Sequence, residues 1–342
     1  MTSTLPDSIA DEAMLEDMLS APSDALVETL NKLDGDITIL GVGGKMGPTL
    51  ARMAKRAAPG KRIIGVARFS DPSLRVKLEA DGIETVMCDL LDEAAVNALE
   101  KTANMVFMAG RKFGSDGNQP LTWAMNTHVP AIVAQAFSHA RIAVFSTACV
   151  YSFADVNGSG ATEDGRLTPP GEYANSCIGR ERMFEYFADV HGTNVALLRL
   201  SYAIDLRYGV LHDIGKAVLD GTPVQLDSGH CNIIWQRDAN DIALRSLALA
   251  DNPAVPLNLS GPDVVRVRDL ALAFAEMFGK EPVFEGSEQP EAWIIDTSRQ
   301  QQLYGKPEVD VQTMVKWVAA WLSQGGRTLG KPTHFEVRDG TY

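Results

Sequence analysis

From Asp36 onward the chain alternates short apolar runs with longer amphipathic stretches. Residues 37–40 (ITIL), 62–67 (RIIGVA), 83–87 (IETVM), 105–110 (MVFMAG), 142–147 (IAVFST) and 195–201 (VALLRLS) each read as a strand. These are continuous apolar runs, the pattern of strands covered on both faces. Stretches at 49–58, 74–80, 92–101, 123–137 and 173–190 separate them and carry apolar positions at helical spacing. Strand–helix alternation implies right-handed crossovers and an α/β fold with a doubly wound parallel sheet. Ahead of Asp36, Met14, Leu15, Met18 and Leu19, then Leu26, Leu30 and Leu33, predict two short amphipathic helices packed on the main body. After Asp205 the pattern is less regular and richer in Gly, Pro and Asn. Helices expected at 267–278 and 311–323 suggest a smaller C-terminal α+β lobe, and residues 325–342 read as an extended arm.

A length of 342 residues suits about two domains, and 45% apolar residues provide for a substantial core. The 31 Lys and Arg against 44 Asp and Glu leave a net charge of −13. That balance argues against nucleic acid or a membrane surface as partner, though it leaves room for a local phosphate pocket. No apolar run approaches the roughly 20 residues that span a bilayer, and the acidic first residues are unlike a secretion signal. Cys88, Cys149, Cys177 and Cys231 lie far apart with no CxxC pair, so a cytoplasmic location without disulfides is expected. Six scattered histidines show no ligand spacing, and no metal site is expected.

The candidate chemistry begins at ILGVGGKMGPTL, where Gly41, Gly44 and Gly47 form GxxGxxG directly after a strand and open a helix. Glycines there permit a tight turn, and the helix start, with Lys45 and Met46 in the turn, offers amides to a pyrophosphate. The bland reading is an ordinary glycine-rich turn. Dinucleotide binding on a Rossmann-like sheet is favoured by the strand–loop–helix context. The expected division is then a helical extension at 1–35, a dinucleotide-binding domain at 36–205, a substrate lobe at 206–324 and the arm, with exchange of a helix between the lobes allowed. At the end of the second strand Ala67 stands where an acid would bind a ribose, and Arg68 follows it; this favours NADP, with NAD not excluded. Asp89 and Leu90 follow the third strand at the adenine edge, or Asp89 caps the next helix. Ala109, Gly110 and Arg111 follow the fourth, and Lys112, Phe113 and Gly114 continue that loop. Its two cations suit a cofactor phosphate, an anionic substrate or plain solvation.

The order GxxGxxG, Asp89-Leu90, Ala109-Gly110, Asn126, FSTACVY and Tyr173 resembles the extended short-chain dehydrogenase/reductase family, also called the NAD-dependent epimerase/dehydratase family. The likeness runs from about residue 36 to 325 and takes in Asp241-Ile242-Ala243, GPDVVRVRDLA and IIDTSRQQQLYG. It implies that Thr147 and Tyr173 manage the proton of a substrate alcohol or carbonyl while nicotinamide exchanges hydride. It implies further that Tyr173 touches the cofactor, that Asn126 supports the active-site backbone, and that two copies pair through the helices bearing Trp123 and Tyr173. One departure matters. The family motif is YxxxK, and here Cys177 stands in the lysine's place. A lysine at i+4 reaches the nicotinamide ribose and favours tyrosinate; a cysteine is too short and neutral unless activated. Either Arg180 supplies the charge, or oxidised nicotinamide suffices, or ordinary redox chemistry is lost. Cys177 as a nucleophile competes with Cys177 as a buried structural thiol.

RLSYAIDLRYGVLHD and NIIWQRDAN would line the mouth between the lobes with Tyr202, Arg207, Tyr208, His212, Asn232, Trp235, Gln236 and Arg237. Such aromatic, amide and cationic groups suit a sugar, a sugar acid or a nucleotide sugar. The plainer alternatives are a core Trp235 and an Arg237 paired with Asp238. The leading expectation is an NAD(P)-dependent oxidoreductase, epimerase or dehydratase acting on a carbohydrate-like small molecule. The alternative is a non-catalytic NADP-binding redox sensor or regulator. The loop GVGGKMG is also similar to that of dihydrodipicolinate reductase, but that family's histidine-rich catalytic segment is absent.

Overall fold

A computed structural model describes residues 5–112, 117–331 and 333–340; Phe113 and Gly114 of the expected cationic loop lie outside the described residues. Seven strands form one parallel sheet: β1 (Ile37–Leu40), β2 (Ile63–Ala67), β3 (Glu84–Met87), β4 (Asn104–Phe107), β5 (Arg141–Thr147), β6 (Val195–Leu200) and β7 (Val255–Leu259). Their order is β7-β6-β5-β4-β1-β2-β3. The winding direction reverses between β1 and β4, whose Leu40 and Phe107 are register partners, and a crevice opens there at the carboxyl ends.

The central strands are buried on both faces, as their apolar runs predict. Strand β3 is not: it forms the open edge, with Met87 65% exposed. Its polar positions are engaged instead, Glu84 receiving two hydrogen bonds of 2.8 Å from Arg62. Strand β7 falls in a stretch that reads as irregular because Pro256 interrupts it. A proline is tolerated there because β7 is the other edge and pairs only with β6.

The helix expected at 123–137 is a longer segment in three parts. A helix at Gln119–Trp123 passes into a π-helical turn at Ala124–His128 and continues as Val129–Ala136. Pro130 has no N–H for the carbonyl of Asn126 four residues back, which accounts for the altered turn. The Tyr173 helix, Glu172–His191, packs beside this segment.

The second lobe holds a three-stranded sheet of Tyr202–Ile204, His230–Trp235 and Val264–Arg266. Helices Val210–Asp220, Val267–Phe278 and Val311–Ser323 enclose its core. Residues 236–259 return to the main sheet as helix Gln236–Arg245 and β7. That helix packs on the first crossover helix, Gly47–Ala57, where Gln236 and Asn240 both donate to the Thr49 hydroxyl.

The N-terminal helices, Glu12–Leu19 and Asp24–Lys32, are capped by Asp11 and Ser23. Leu15 and Leu19 join the core of the second lobe, while Leu26 and Leu30 join the core under the main sheet. The Ser23 amide and hydroxyl both donate to Asp241, at 2.9 and 3.0 Å. The extension therefore ties the lobes together. Among the described residues no helix is long and apolar enough to cross a membrane.

Behind β5, Arg199 grips the fully buried Glu181 through Nε and Nη2, the latter at 2.8 Å, and Ser146 donates to the same carboxylate. Arg199→Met leaves that carboxylate buried without its cation and is expected to cost about 3–5 kcal/mol. The midpoint of urea unfolding checks this; an unchanged midpoint would mean that the pair carries no stability.

Candidate active site

The site is built where the chains leaving β1 and β4 meet. Gly41 has φ 92°, and a Cβ there would stand 2.7 Å from the Ala109 amide nitrogen. A Cβ on Gly47 would overlap the Val42 carbonyl. Helix Gly47–Ala57 starts at Met46 with no side-chain cap; the Gly47 amide turns back to the Gly44 carbonyl at 3.3 Å, and Pro48 has no N–H, so the helix dipole more than its first two amides is what the crevice offers an anion. The backbone cradle that glycine alone permits, opening onto an uncapped helix start, fits a dinucleotide pyrophosphate.

On one side of this turn lies a cavity of about 260 Å³ lined by Ala67, Arg68, Ser70, Asp89, Leu90 and Ala109. Arg68 is exposed on its rim. The nearby carboxylate of Asp71 accepts the Ser73 amide at 2.9 Å and caps the next helix. Asp89 accepts from the Leu91 amide at 3.1 Å.

On the other side a cavity of about 290 Å³ reaches Lys45, Lys112, Thr147, Cys149, Tyr173 and Tyr202; Met46 also faces it. Thr147 ends β5, and its hydroxyl accepts from the Cys149 amide at 3.2 Å. Tyr173 opens its helix beneath and hydrogen-bonds with Thr147 and Cys177. Burial, then the neighbouring thiols of Cys177 and Cys149, hold the phenol well above the ordinary tyrosine range; Arg180 and the Thr147 bond act in the opposite direction. Cys177 is fully buried, and burial pushes its thiol up as well. A raised thiol with no path to solvent is a poor nucleophile.

Arg180 lies behind this pair. It donates to the Phe145 carbonyl at 2.7 Å and to Asn126 Oδ1 at 2.9 Å. Its guanidinium fills the space that a side chain at Gly110 would need. Asn126, in the π-helical turn, accepts from the Arg111 amide at 2.8 Å and donates to the Arg111 carbonyl at 2.9 Å. A two-way clamp of this kind fixes the loop after β4, while a further bond to Ser176 at 3.0 Å ties it to the Tyr173 helix.

Several expected mouth residues lie elsewhere. Arg207 pairs with Asp205, Glu12 and Glu16. Trp235 is buried against Trp317, ring centres 5.3 Å apart. Arg237 holds the Ala21 carbonyl, Asp238 and Glu308. Asn232 is fully buried between the Ile295 amide and the Asp263 carbonyl. Arg207 and Arg237 bind the extension to the lobes, and Trp235 and Asn232 belong to the interior of the second lobe, rather than to the cavity wall. Gln236 and His212 are buried too, whereas Tyr202 and Tyr208 do line the cavity. Residues that sequence reasoning did not single out complete the wall, notably Trp293 and, from the C-terminal arm, Thr333. Neither lies in a motif.

The Lys45 side chain leaves the glycine turn toward the second lobe, donating to the Ala203 carbonyl at 2.9 Å over the Tyr208 ring. Burial lowers its pKa to about 8; Asp205 and Asp213 oppose that shift and Arg207 adds to it.

Fold and site together define a Rossmann-like α/β protein with a glycine cradle at the head of its parallel sheet. Residues 37–204 match the model of the NAD dependent epimerase/dehydratase family. No protein of curated function matches it in sequence. Among solved structures it is similar to MoeE5 in complex with UDP-glucose and NAD, with TM-score 0.69, 18% identity, and coverage of 85% of this chain and 99% of that one. UDP-glucuronic acid 4-epimerase from Bacillus cereus in complex with NAD has TM-score 0.69 and 15% identity, covering 84% and 99%. DesIV, a dTDP-glucose 4,6-dehydratase from Streptomyces venezuelae with NAD and TYD bound, has TM-score 0.71 and 17% identity, covering 84% and 97%.

In the absence of ligand, the Lys45 amine is expected to titrate with a midpoint near pH 8, more than two units below an ordinary lysine. Reductive methylation with 13C-formaldehyde and NMR titration, assigned by Lys45→Met, measures it. A midpoint above 10 would show that the ammonium is not desolvated.

Proposed function

We propose that this protein is an NADP-dependent oxidoreductase, epimerase or dehydratase acting on a sugar-like alcohol or carbonyl. The observation that carries the reading is the hydrogen-bonded Thr147–Tyr173 pair on the wall of a cavity that begins at the glycine turn. Bound nicotinamide supplies the hydride acceptor or donor. In the reducing direction Tyr173 gives its proton to the substrate oxygen and Thr147 holds the same oxygen; in the oxidising direction Tyr173 takes it back. A phenol held protonated by burial is ready for the first role. Arg180 is the cation that favours tyrosinate once the proton has left.

NADP is favoured over NAD by Arg68 on the rim of the adenosine-side cavity, with Asp71 engaged in capping its helix. Pairing of two copies through the Trp123 and Tyr173 helices is supported by the exposed Trp123 and Tyr186 on them. The cysteine at position 177 favours a second reading, an NADP-binding sensor without turnover.

The test is turnover over a panel of sugars, sugar acids and nucleotide sugars with NADP and NAD. The expected outcome is NADP-linked activity that Tyr173→Phe lowers by about 10²-fold or more without weakening NADP binding. Cofactor binding without turnover anywhere on the panel would favour the sensor. Separately, Arg68→Ala is expected to weaken NADP binding about tenfold, roughly 1.4 kcal/mol, and to leave NAD binding within twofold. Equal effects on both cofactors would remove Arg68 from 2′-phosphate recognition. Fluorescence titration of the reduced cofactors reads both affinities.

A further inference from the structure

The glycine cradle has the shape for a pyrophosphate but few donors to hold one. Its Gly44 amide is used on the Gly41 carbonyl at 3.0 Å, its Gly47 amide on the Gly44 carbonyl at 3.3 Å, and Pro48 has none. A pyrophosphate carries a negative charge on each phosphate, whereas the helix dipole supplies only about half a charge. The turn holds one cation of its own, Lys45. It follows Gly44, the residue that lines both the adenosine-side and the inner cavity, and its side chain lies on the inner side. A dinucleotide that fills both cavities passes over Gly44, which makes Lys45 the charged side chain next to its phosphates.

The contacts that hold the Lys45 ammonium are ones an anion can replace. It donates to the neutral Ala203 carbonyl at 2.9 Å and lies 4.2 Å from the centre of the Tyr208 ring. Among the described residues no carboxylate forms an ion pair with it. The acids around it are engaged. Asp205, just after strand Tyr202–Ile204, is gripped by Arg207 at 3.0 and 2.7 Å. Asp213, on helix Val210–Asp220, accepts the Thr333 amide and hydroxyl at 2.8 and 2.6 Å. In the groove beneath the N-terminal extension, which Lys45 also borders, Glu16 is held by Arg52 and Arg207 at 2.9 and 2.6 Å. Lys112, Cys149, Tyr173 and Tyr202 face the inner cavity from its other walls. Burial is therefore not offset, and it lowers the Lys45 pKa to about 8, with Asp205 and Asp213 opposing and Arg207 assisting.

We propose that the Lys45 side chain, resting on the second lobe in the free protein, turns to the pyrophosphate of a bound dinucleotide and takes up a proton as it does so. The inference rests on the functional reading above and deepens it, giving the cofactor site a pH dependence of its own. The step adds one proton from solvent to the neutral amine, and no covalent bond to the cofactor forms. An anion beside the amine raises its pKa in the complex. Binding is thus strongest where the free amine is already protonated, and weakens as the pH rises through 8, by up to about tenfold per pH unit, until the bound amine also loses its proton. The same movement breaks the Lys45–Ala203 bond, a direct link between the glycine turn and the second-lobe strand that walls the inner cavity.

Calorimetric titration of the whole chain with NADP, NAD and ADP-ribose at pH 8, in buffers of different ionisation enthalpy, counts the protons directly. All three ligands carry the pyrophosphate, and each that binds is expected to bring uptake of about half a proton. Lys45→Arg keeps the charge but cannot titrate, so it is expected to bind within about threefold of the wild type and to take up no proton. Lys45→Met is expected to weaken binding about tenfold at pH 7 and to flatten the pH dependence above it. Failure of the wild type to bind NADP or NAD would sink the functional reading, and the role of Lys45 with it. Cofactor binding without proton uptake, uptake that persists in Lys45→Arg and so belongs to Lys112 or another group, or Lys45→Met binding as the wild type does would overturn the role of Lys45 and leave the functional reading standing. Uptake with NADP and NAD but not with bound ADP-ribose would also overturn it, by placing the lysine's partner at the nicotinamide end.

Discussion

The close approach of two backbones at the head of the sheet sets the geometry of everything above it. β1 and β4 are adjacent and in register, so the chains leaving them diverge only after Gly41 and Ala109 have passed in contact. The φ of 92° at Gly41 turns the chain into the cradle, a conformation that side chains disfavour. A Cβ there would force the β4 loop outward. That loop carries Gly110 against Arg180 and Arg111 within the Asn126 clamp. The glycine cradle and the support of Thr147 and Tyr173 therefore share one steric condition.

The cation behind the tyrosine sits seven residues along the same helix, and that position sets what it can do. A residue seven positions on lies about 10 Å further along the axis. Helical side chains lean toward the N-terminus, which brings the Arg180 guanidinium back to the Phe145 carbonyl and Asn126. Held by those two acceptors, it acts on Tyr173 through the field rather than as a movable ligand. In a dry site such a field is stronger than in water. Burial and the two neighbouring thiols work against it and prevail, so the resting phenol stays protonated. A lysine at position 177 would instead place a flexible ammonium one turn away, free to reach a ribose. With cysteine at position 177, the charge on this helix face is the fixed guanidinium of Arg180 further back.

What was legible in the sequence follows from how local each signal is. The glycine turn, the central strands and the order of Thr147 and Tyr173 are written in contiguous residues, and the structure carries them where the pattern puts them. Strand β7 was hidden because its proline and its polar Asn258 obscure the apolar run. Asn258 is fully buried yet satisfied, donating to the Ala161 and Asp296 carbonyls and accepting from Tyr151, partners about 40 to 100 residues away. Arg207 and Arg237 read as cleft residues from composition alone. Their partners Glu12, Glu16 and the Ala21 carbonyl come from an extension about 190 to 220 residues earlier. Nothing local announces such pairs. The same holds for Thr333, which enters the cavity from the opposite end of the chain.

Those distant contacts have a common consequence for how the lobes sit. The extension places Leu15 and Leu19 in one core and Leu26 and Leu30 in the other, and Ser23 is bonded to Asp241 of the helix that returns to the main sheet. On the far side the arm runs from Arg327, paired with Glu12, past Thr333 to Gly340. A cleft between two lobes ordinarily opens by bending at its connections. Here bending would also have to break the ion pairs that join the extension to the first crossover helix, Arg52 with Glu16 and Arg56 with Asp17, each at 2.9 Å. The extension on one side and the arm on the other thus tie the lobes together.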